Sequence, residues 1–400
     1  MFGTPRFWFA LLLCSALVGC RPTSLPANDP DAPFSPPTVA RSVAPAPPEP
    51  ITPVPPPDPA ESKRLEDEIT KLAAIPSPAL PATSQKETGN GVVIFLPSCT
   101  EEPQFAAFGR GCGHWLHYNV GGINTLGRSP LLVYVRYAAD EVGQKDLCLN
   151  ATQGAKAAAI LGATHYAVGE LKGNAKDATL IYTLHTTKDG KPVGAPLRIR
   201  GSETEIVKAL SATGKEIALR LGIANAPLPE PKETPDELRA GGKVEFNTHV
   251  YTPEGVENRM MIASAHSPTL ASILLLTSKR VSEEEQLLLT RRMLAQSPDN
   301  AFTYGIPGYA ELISGTPERE PGAKLALQKF KTYPHNSTLL RTALLVARGR
   351  GDIKQERLLG ERLTKEEPTS STAWIIRGKT LLRETIRVRY GRTTNPCVPH

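Results

Sequence analysis

The sequence has no run of 18 or more apolar residues, which excludes a protein that spans the membrane several times. It also has no CxxC, HExxH or GxxxxGK[ST] motif, which argues against a closed zinc motif and a phosphate-binding loop. Serine, histidine and aspartate are present, but not in a recognisable nucleophile elbow. We therefore expect a protein that is not an enzyme and that uses neither a cofactor nor a metal.

What the chain does have is enough apolar material to fold. Its hydrophobic content is 40 % over 400 residues, which excludes wholesale disorder and suggests two or three domains. Proline is unevenly spread, since residues 21–60 hold 15 of the 38 prolines. Such a composition cannot bury enough apolar surface to fold and favours polyproline II. Residues 20–89 are thus predicted to be a disordered tether, in which 61–73 could form one short helix.

The amino terminus has the features of an export signal. Arg6 precedes an apolar run over 7–18, and the run ends in Leu-Val-Gly-Cys at Cys20. These four residues resemble the lipobox of bacterial lipoproteins. The resemblance implies that residues 1–19 are removed and that Cys20 carries lipid, including palmitate. Arg21 stands where that family has an aspartate for inner-membrane retention, so we favour the outer membrane, with the protein facing the periplasm or the exterior.

Four cysteines remain beyond this leader: Cys99, Cys112, Cys148 and Cys397. An oxidising compartment permits disulfides, and four cysteines allow three pairings. We expect a pair within the first three. Cys112, His114 and His117 form the phrase CGHWLH, but their spacing matches no closed zinc site.

Residues 90–223 are predicted to form an α/β (α+β) domain. Apolar runs and turn signals predict strands over 91–97, 131–137, 164–171, 178–186 and 193–200. A helical stripe runs through Phe105, Phe108, Cys112 and Trp115. A second helix is capped at Asn150 or Thr152 and ends at Gly162, and a capping box at 202–205 opens a third that ends at Gly222.

This order of elements resembles the TolB amino-terminal-like domain. The matching phrases are GVVIFLP, AAILGATHYAVGELKG, DATLIYTLHTTKDGKPVG and GSETEIVKALSATGKEIALRLG. The resemblance implies an interaction or sensing domain without catalytic residues.

The carboxy-terminal part repeats. A linker is predicted over 224–242 and a short β or irregular segment over 243–266. Pro298, Pro334 and Pro368 lie 36 and 34 residues apart, a period that resembles tetratricopeptide (TPR) repeats. Residues 267–392 are therefore predicted to be an all-α stack of TPR-like repeats, followed by a tail over 393–400. In such a stack, Tyr304, Leu340 and Trp374 would be buried at equivalent places, six residues after each proline.

Charge gives the last signal. Between 279 and 392 there are 21 lysines and arginines against 13 acidic residues. Four residues of the last predicted helix, Arg377, Lys379, Arg383 and Arg387, are weak candidates for a binding surface. A basic face attracts anionic partners. We consider an anionic lipid, a cell-wall polymer or an acidic protein, and exclude nucleic acid because the chain is expected to be exported.

Two functions from different classes remain open, with a third as a remote alternative. The first is a membrane-anchored envelope lipoprotein that acts as a non-catalytic scaffold for other envelope proteins. The second is an envelope sensor whose α/β domain binds a small molecule. The remote one is an exported enzyme.

Overall fold

A computed structural model describes residues 58–74, 90–100, 102–127, 129–144, 147–244, 253–277, 283–305, 320–368 and 371–390. The predictions for Cys20 and Cys397 lie outside these residues. The described residues belong to one compact unit. Its described part is a mixed α/β structure, mostly helical, with one small four-stranded sheet.

The described elements follow one another as α1 (Pro59–Ala74), β1 (Val92–Ile94), α2 (Pro103–Gly121), α3 (Leu132–Glu141), α4 (Ala151–Leu161), β2 (His165–Gly173), β3 (Ala178–Thr186), β4 (Leu197–Gly201), α5 (Glu203–Arg220), α6 (Pro235–Val244), α7 (Pro253–Ser264), α8 (Pro268–Thr277), α9 (Glu283–Gln296), α10 (Ala301–Gly305), α11 (Glu320–Thr332), α12 (Ser337–Gly349), α13 (Ile353–Glu366) and α14 (Ser371–Tyr390).

The sheet has the strand order β1-β2-β3-β4. β1 pairs in parallel with β2, with Val92 opposite His165, whereas β2–β3 and β3–β4 are antiparallel. Helices cover both faces: Ile94 packs in one core with residues of α2 and α5, and Val93 packs in another with residues of α3 and α4. Because both faces of β1 are covered, its apolar run is continuous rather than alternating.

Local end signals are confirmed where they were predicted. The Asn150 side chain accepts a hydrogen bond from the Gln153 amide, and α4 ends at Gly162 with φ 71°. Ser202 and Glu205 form the predicted capping box of α5. Each signal depends on residues three or four positions apart, so the surrounding fold does not alter it.

The strand predicted over 131–137 is wrong, because this segment begins helix α3. The buried side chains are Val135, Ala138 and Ala139, whereas Tyr137 is 65 % exposed. Burial therefore recurs at helical spacing on the face turned to α4. A short run of apolar residues is compatible with either a strand or a helix, and here the packing against α4 favours the helix.

The predictions over 224–266 need correction too. Residues 235–242 of the expected linker form most of α6, and residues 253–264 of the expected β or irregular segment form α7. Leu238 of α6 is fully buried against α2. The close contact depends on glycine, which has no Cβ. A Cβ on Gly111 would lie 2.1 Å from the Leu238 carbonyl oxygen, and one on Gly242 would lie 1.9 Å from the Ala107 oxygen.

The predicted tether over 20–89 contains a packed helix. In α1, Leu65, Ile69 and Ala73 recur at intervals of four and are buried. α1 packs against α9 and α11, and its Glu61 carboxylate accepts hydrogen bonds from Arg292 at 2.7 and 2.8 Å. The proline-rich composition that predicts disorder therefore stops short of this helix.

The described helices α11 to α14 stack in sequence order. α12 packs against α10, α11 and α13, and α13 packs against α14. The turn between α12 and α13 contains Gly351 at φ 70°. The Tyr304 hydroxyl donates to the Pro298 carbonyl, and the Trp374 indole donates to the Pro368 carbonyl, six residues back in both cases. Two of the three proline-spaced positions therefore share this hydrogen bond.

Candidate functional site

The residues predicted to form a basic surface lie on α14, the last described helix. The Arg377 guanidinium donates to the Thr364 hydroxyl at 3.1 Å, and Arg383 lies 3.5 Å from the Glu356 carboxylate. Lys379 is exposed. Arg387 belongs to the same helix, but its side chain is outside the described part. Two of the four predicted residues, Arg377 and Arg383, therefore also contact side chains of α13.

Arg383 has a structural role because Glu356 is buried. This carboxylate is 1 % exposed and also accepts a hydrogen bond from Arg348 at 2.8 Å and one from the Thr380 hydroxyl at 3.2 Å. The surrounding arginines satisfy the charge, as a buried carboxylate requires.

One face of α14 packs on the stack. Ala373 and Thr380 are buried, and Ile376 packs on the apolar cluster formed with α12 and α13. These positions are three and four residues apart and so lie on one side of the helix.

The opposite face of α14 is apolar and exposed. The exposed fractions are 50 % for Trp374, 56 % for Ile375, 44 % for Leu381 and 60 % for Leu382. With Gly378, these residues again recur at helical spacing. Their direction on the helix is about 180° from the packed side, at 100° per residue. We call these five residues the outer face.

Trp374 was expected to be buried, and that expectation is wrong. Tyr304 and Leu340, at the equivalent places, are 1 % and 0 % exposed. Tyr304 packs in a cluster with residues of α1, α9, α11 and α12, and Leu340 packs in one with residues of α12, α13 and α14. The described part of the chain places no further helix over Trp374.

Two cations flank the outer face. Arg377 and Lys379 are two residues apart, so they project about 200° apart around the helix, one at each edge of the face. The Arg377 guanidinium carbon lies 5.6 Å from the centre of the Trp374 ring. The outer face is thus an apolar surface with a positive edge on either side.

Sequence reasoning found the cations but missed the apolar part. The signal is in the sequence: α14 has apolar residues at 373, 374, 375 and 376, which cover every side of one helical turn. A helix that is apolar all round needs partners on more than one side.

The phrase CGHWLH lies inside the protein. His117 accepts a hydrogen bond from the Ile94 amide on Nδ1 and, since a carbonyl only accepts, donates from Nε2 to Pro130 at 3.0 Å. Burial, helped by nearby His114, lowers the pKa of His117 to about 3, so the ring is neutral. Burial also raises the pKa of the Cys112 thiol. These residues act as core.

The expected disulfide is not present. Cys99, Cys112 and Cys148 are all thiols in the structure, and Cys148 donates to the Pro97 carbonyl at 3.4 Å. Cys112 is fully buried on α2. Among the described residues, no three histidine, cysteine or acidic side chains come together as metal ligands would.

Comparisons of the chain with protein-family models, with curated proteins and with solved structures give no match. Within the described ranges, no helix combines the length and the apolar character that crossing a bilayer requires.

Proposed function

We propose that this chain is a bacterial envelope lipoprotein, anchored through lipid on Cys20, that acts as a non-catalytic scaffold by docking another envelope protein on the outer face of α14. The observation that carries the docking part is the position of this face. It lies opposite the packed side of the last described helix, and its four large side chains are about half exposed.

The chemistry of the face indicates the kind of partner. Exposed tryptophan and leucine side chains with arginine nearby are the types enriched in the energetically dominant parts of interfaces. The edges carry Arg377 and Lys379, so a complementary surface is apolar in the middle and acidic at its rim. A second copy of the same face is disfavoured, since it would bring like charges together.

The resemblances are consistent with a scaffold. The α/β part resembles the TolB amino-terminal-like domain, and the proline period resembles TPR repeats, in which stacked helix pairs present binding surfaces. The stack of α11–α14 and the similar Tyr304 and Trp374 hydrogen bonds support the repeat interpretation.

Docking is tested by crosslinked pull-down from membranes. We expect Leu382→Ser and Trp374→Ser each to reduce capture of the specific partner by about 10-fold or more, since removing a central interface side chain costs on the order of 2 kcal/mol. Lys379→Glu should also reduce capture, because it reverses one edge of the face.

The matched control is Leu358→Ser. Leu358 lies on α13 and is 60 % exposed, the same fraction as Leu382, so its capture should equal that of the wild type. Equal capture by all the variants would contradict docking on the outer face. If the Leu382→Ser and Lys379→Glu variants instead lose binding to phosphatidylglycerol vesicles while capture is unchanged, the face binds lipid rather than protein.

Anchoring is tested separately by metabolic labelling with palmitate. We expect the wild-type chain to incorporate the label and Cys20→Ala to abolish incorporation and shift the protein to a soluble or uncleaved form. Cys14→Ala, in the same leader, is the control and should be labelled normally. Absence of label from the wild type would refute the lipoprotein assignment without affecting the docking result.

A further inference from the structure

We call residues 90–223 the α/β half and the described residues from 235 onward the helical half, and a cleft lies where the two meet. Its main cavity has a volume of about 640 Å³ and is bordered by the carboxy-terminal end of α2, the segment over 223–229, and the residues that follow α9. A smaller pocket beside Trp115 shares Asn119 and Gln296 with it. The main cavity falls in the range of roughly 300–1,000 Å³ that is usual for small-molecule sites.

The walls of the cleft are fixed by hydrogen bonds between the two halves. The Asn300 side chain donates to the Tyr118 carbonyl at 3.0 Å, and the Ala301 amide donates to the Gly122 carbonyl at 2.7 Å. Gly122 is required here, since a Cβ on it would lie 1.9 Å from Asn300 Oδ1. A ligand would therefore meet a preformed site and lose little affinity to ordering it.

The cavity surface is rich in neutral polar groups. Asn119, Asn124, Thr125, Gln296 and Ser297 line it, and an apolar wall with Leu228 stands on another side. The Asn124 amide donates to the Asp299 carbonyl at 2.6 Å, but its Oδ1 is buried and accepts no hydrogen bond from the described residues. A buried acceptor without a donor is costly, so a ligand hydroxyl or amide that reached it would gain free energy.

The charge of the cavity indicates a neutral ligand. Among the described residues that line the main cavity there is no lysine, arginine or histidine. The only carboxylate among these lining residues is that of Asp299, and Lys329 offsets it at 2.5 Å. The carboxy-terminal end of α2 adds a partial negative charge, which disfavours anions further.

We propose that this cleft binds a neutral sugar of one or two rings. The hydroxyls and acetamido groups of such a ligand supply both donors and acceptors for the asparagine and glutamine side chains, while a ring face packs on the apolar wall. This is a binding activity in addition to docking on α14, and the two surfaces share no residue.

The test is calorimetric titration of the full-length chain with the disaccharide of N-acetylglucosamine. We expect saturable binding with a Kd on the order of 1 mM or tighter. Glucose 6-phosphate, which is anionic, should bind at least about 10-fold more weakly, since no cation lines the main cavity. Tighter binding of the phosphate would overturn the proposal, and so would absence of disaccharide binding at about 10 mM.

Two variants locate the site. Asn124→Leu removes the acceptor and should weaken binding by about 10-fold. Because Asn124 also supports the fold, Gln296→Trp provides an independent check: Gln296 is exposed at the end of α9, and the larger ring would fill part of the cavity. Gln355→Trp, at an exposed position of α13, is the matched control and should bind like the wild type. Unchanged binding by Gln296→Trp would place the sugar elsewhere and refute the assignment.

Discussion

Replacing His117 with glutamine is expected to flatten the acid dependence of stability. The folded-state pKa of His117 is lowered to about 3, whereas an unfolded histidine titrates near 6.5. The unfolded chain therefore takes up the proton first, so the stability that neutral His117 confers is complete above pH 6.5 and is lost as the pH falls towards 3. Over this whole window the loss is about 5 kcal/mol.

The measurement is chemical unfolding of the purified chain between pH 6.5 and pH 5, where few carboxylates titrate. Here the wild type should lose about 2 kcal/mol through His117. Glutamine keeps an acceptor and a donor without titrating. Between pH 6.5 and pH 5 the His117→Gln variant should therefore lose about 2 kcal/mol less free energy of unfolding than the wild type, even if the variant is less stable at pH 7. The control is His165→Gln: burial lowers the pKa of His165 as well, but this side chain is only half-buried, so the slope should change less. A His117→Gln slope equal to the wild-type slope would contradict the burial argument.

Replacing Gly111 with alanine is expected to lower the free energy of unfolding by about 3 kcal/mol or more, since overpacking against an immobile neighbour costs this much. The added Cβ would lie 2.1 Å from the Leu238 carbonyl oxygen and 2.6 Å from its carbonyl carbon. Both are main-chain atoms of α6, so relief requires the two helices to separate.

The matched control for this clash is Gly378→Ala. Gly378 is also inside a helix, but a Cβ there meets nothing within 4 Å. Alanine in a helix interior is better than glycine by about 0.5–1 kcal/mol, so this variant should be slightly more stable than the wild type. Thermal and denaturant unfolding of both variants measures this difference in stability. If Gly111→Ala were also stabilising, the α2–α6 contact would be looser than described.

The sequence predicts those elements of the fold that depend on neighbouring residues. The cap at Asn150, the left-handed Gly162 and the box at Ser202 are short-range and are all present. The 224–242 segment was misread because its prolines are typical of a linker. The burial of Leu238 depends instead on two close approaches, permitted by Gly111 and Gly242, between α6 and a helix more than a hundred residues earlier. No local pattern encodes such a contact.

The outer face of α14 and the cleft can also be predicted from the sequence only in part. The cations of α14 are visible as a charge pattern, but the exposure of Trp374 depends on where the stack ends. The cleft depends on Asn124 and Asn300, which come from segments 176 positions apart and meet only in the folded chain. Asparagines have no periodicity that would predict a shared wall.

The packing of α1 determines where mechanical load would enter the molecule. If the protein is held by lipid at Cys20, a pull from that side arrives first at α1. This helix is joined to α9 by the Glu61–Arg292 pair and by Arg291 with Glu66 at 3.2 Å, and it also packs against α11. Tension between the membrane and a partner on α14 would therefore enter through α9 and α11 at one end and through α13 and α4, which α14 contacts, at the other.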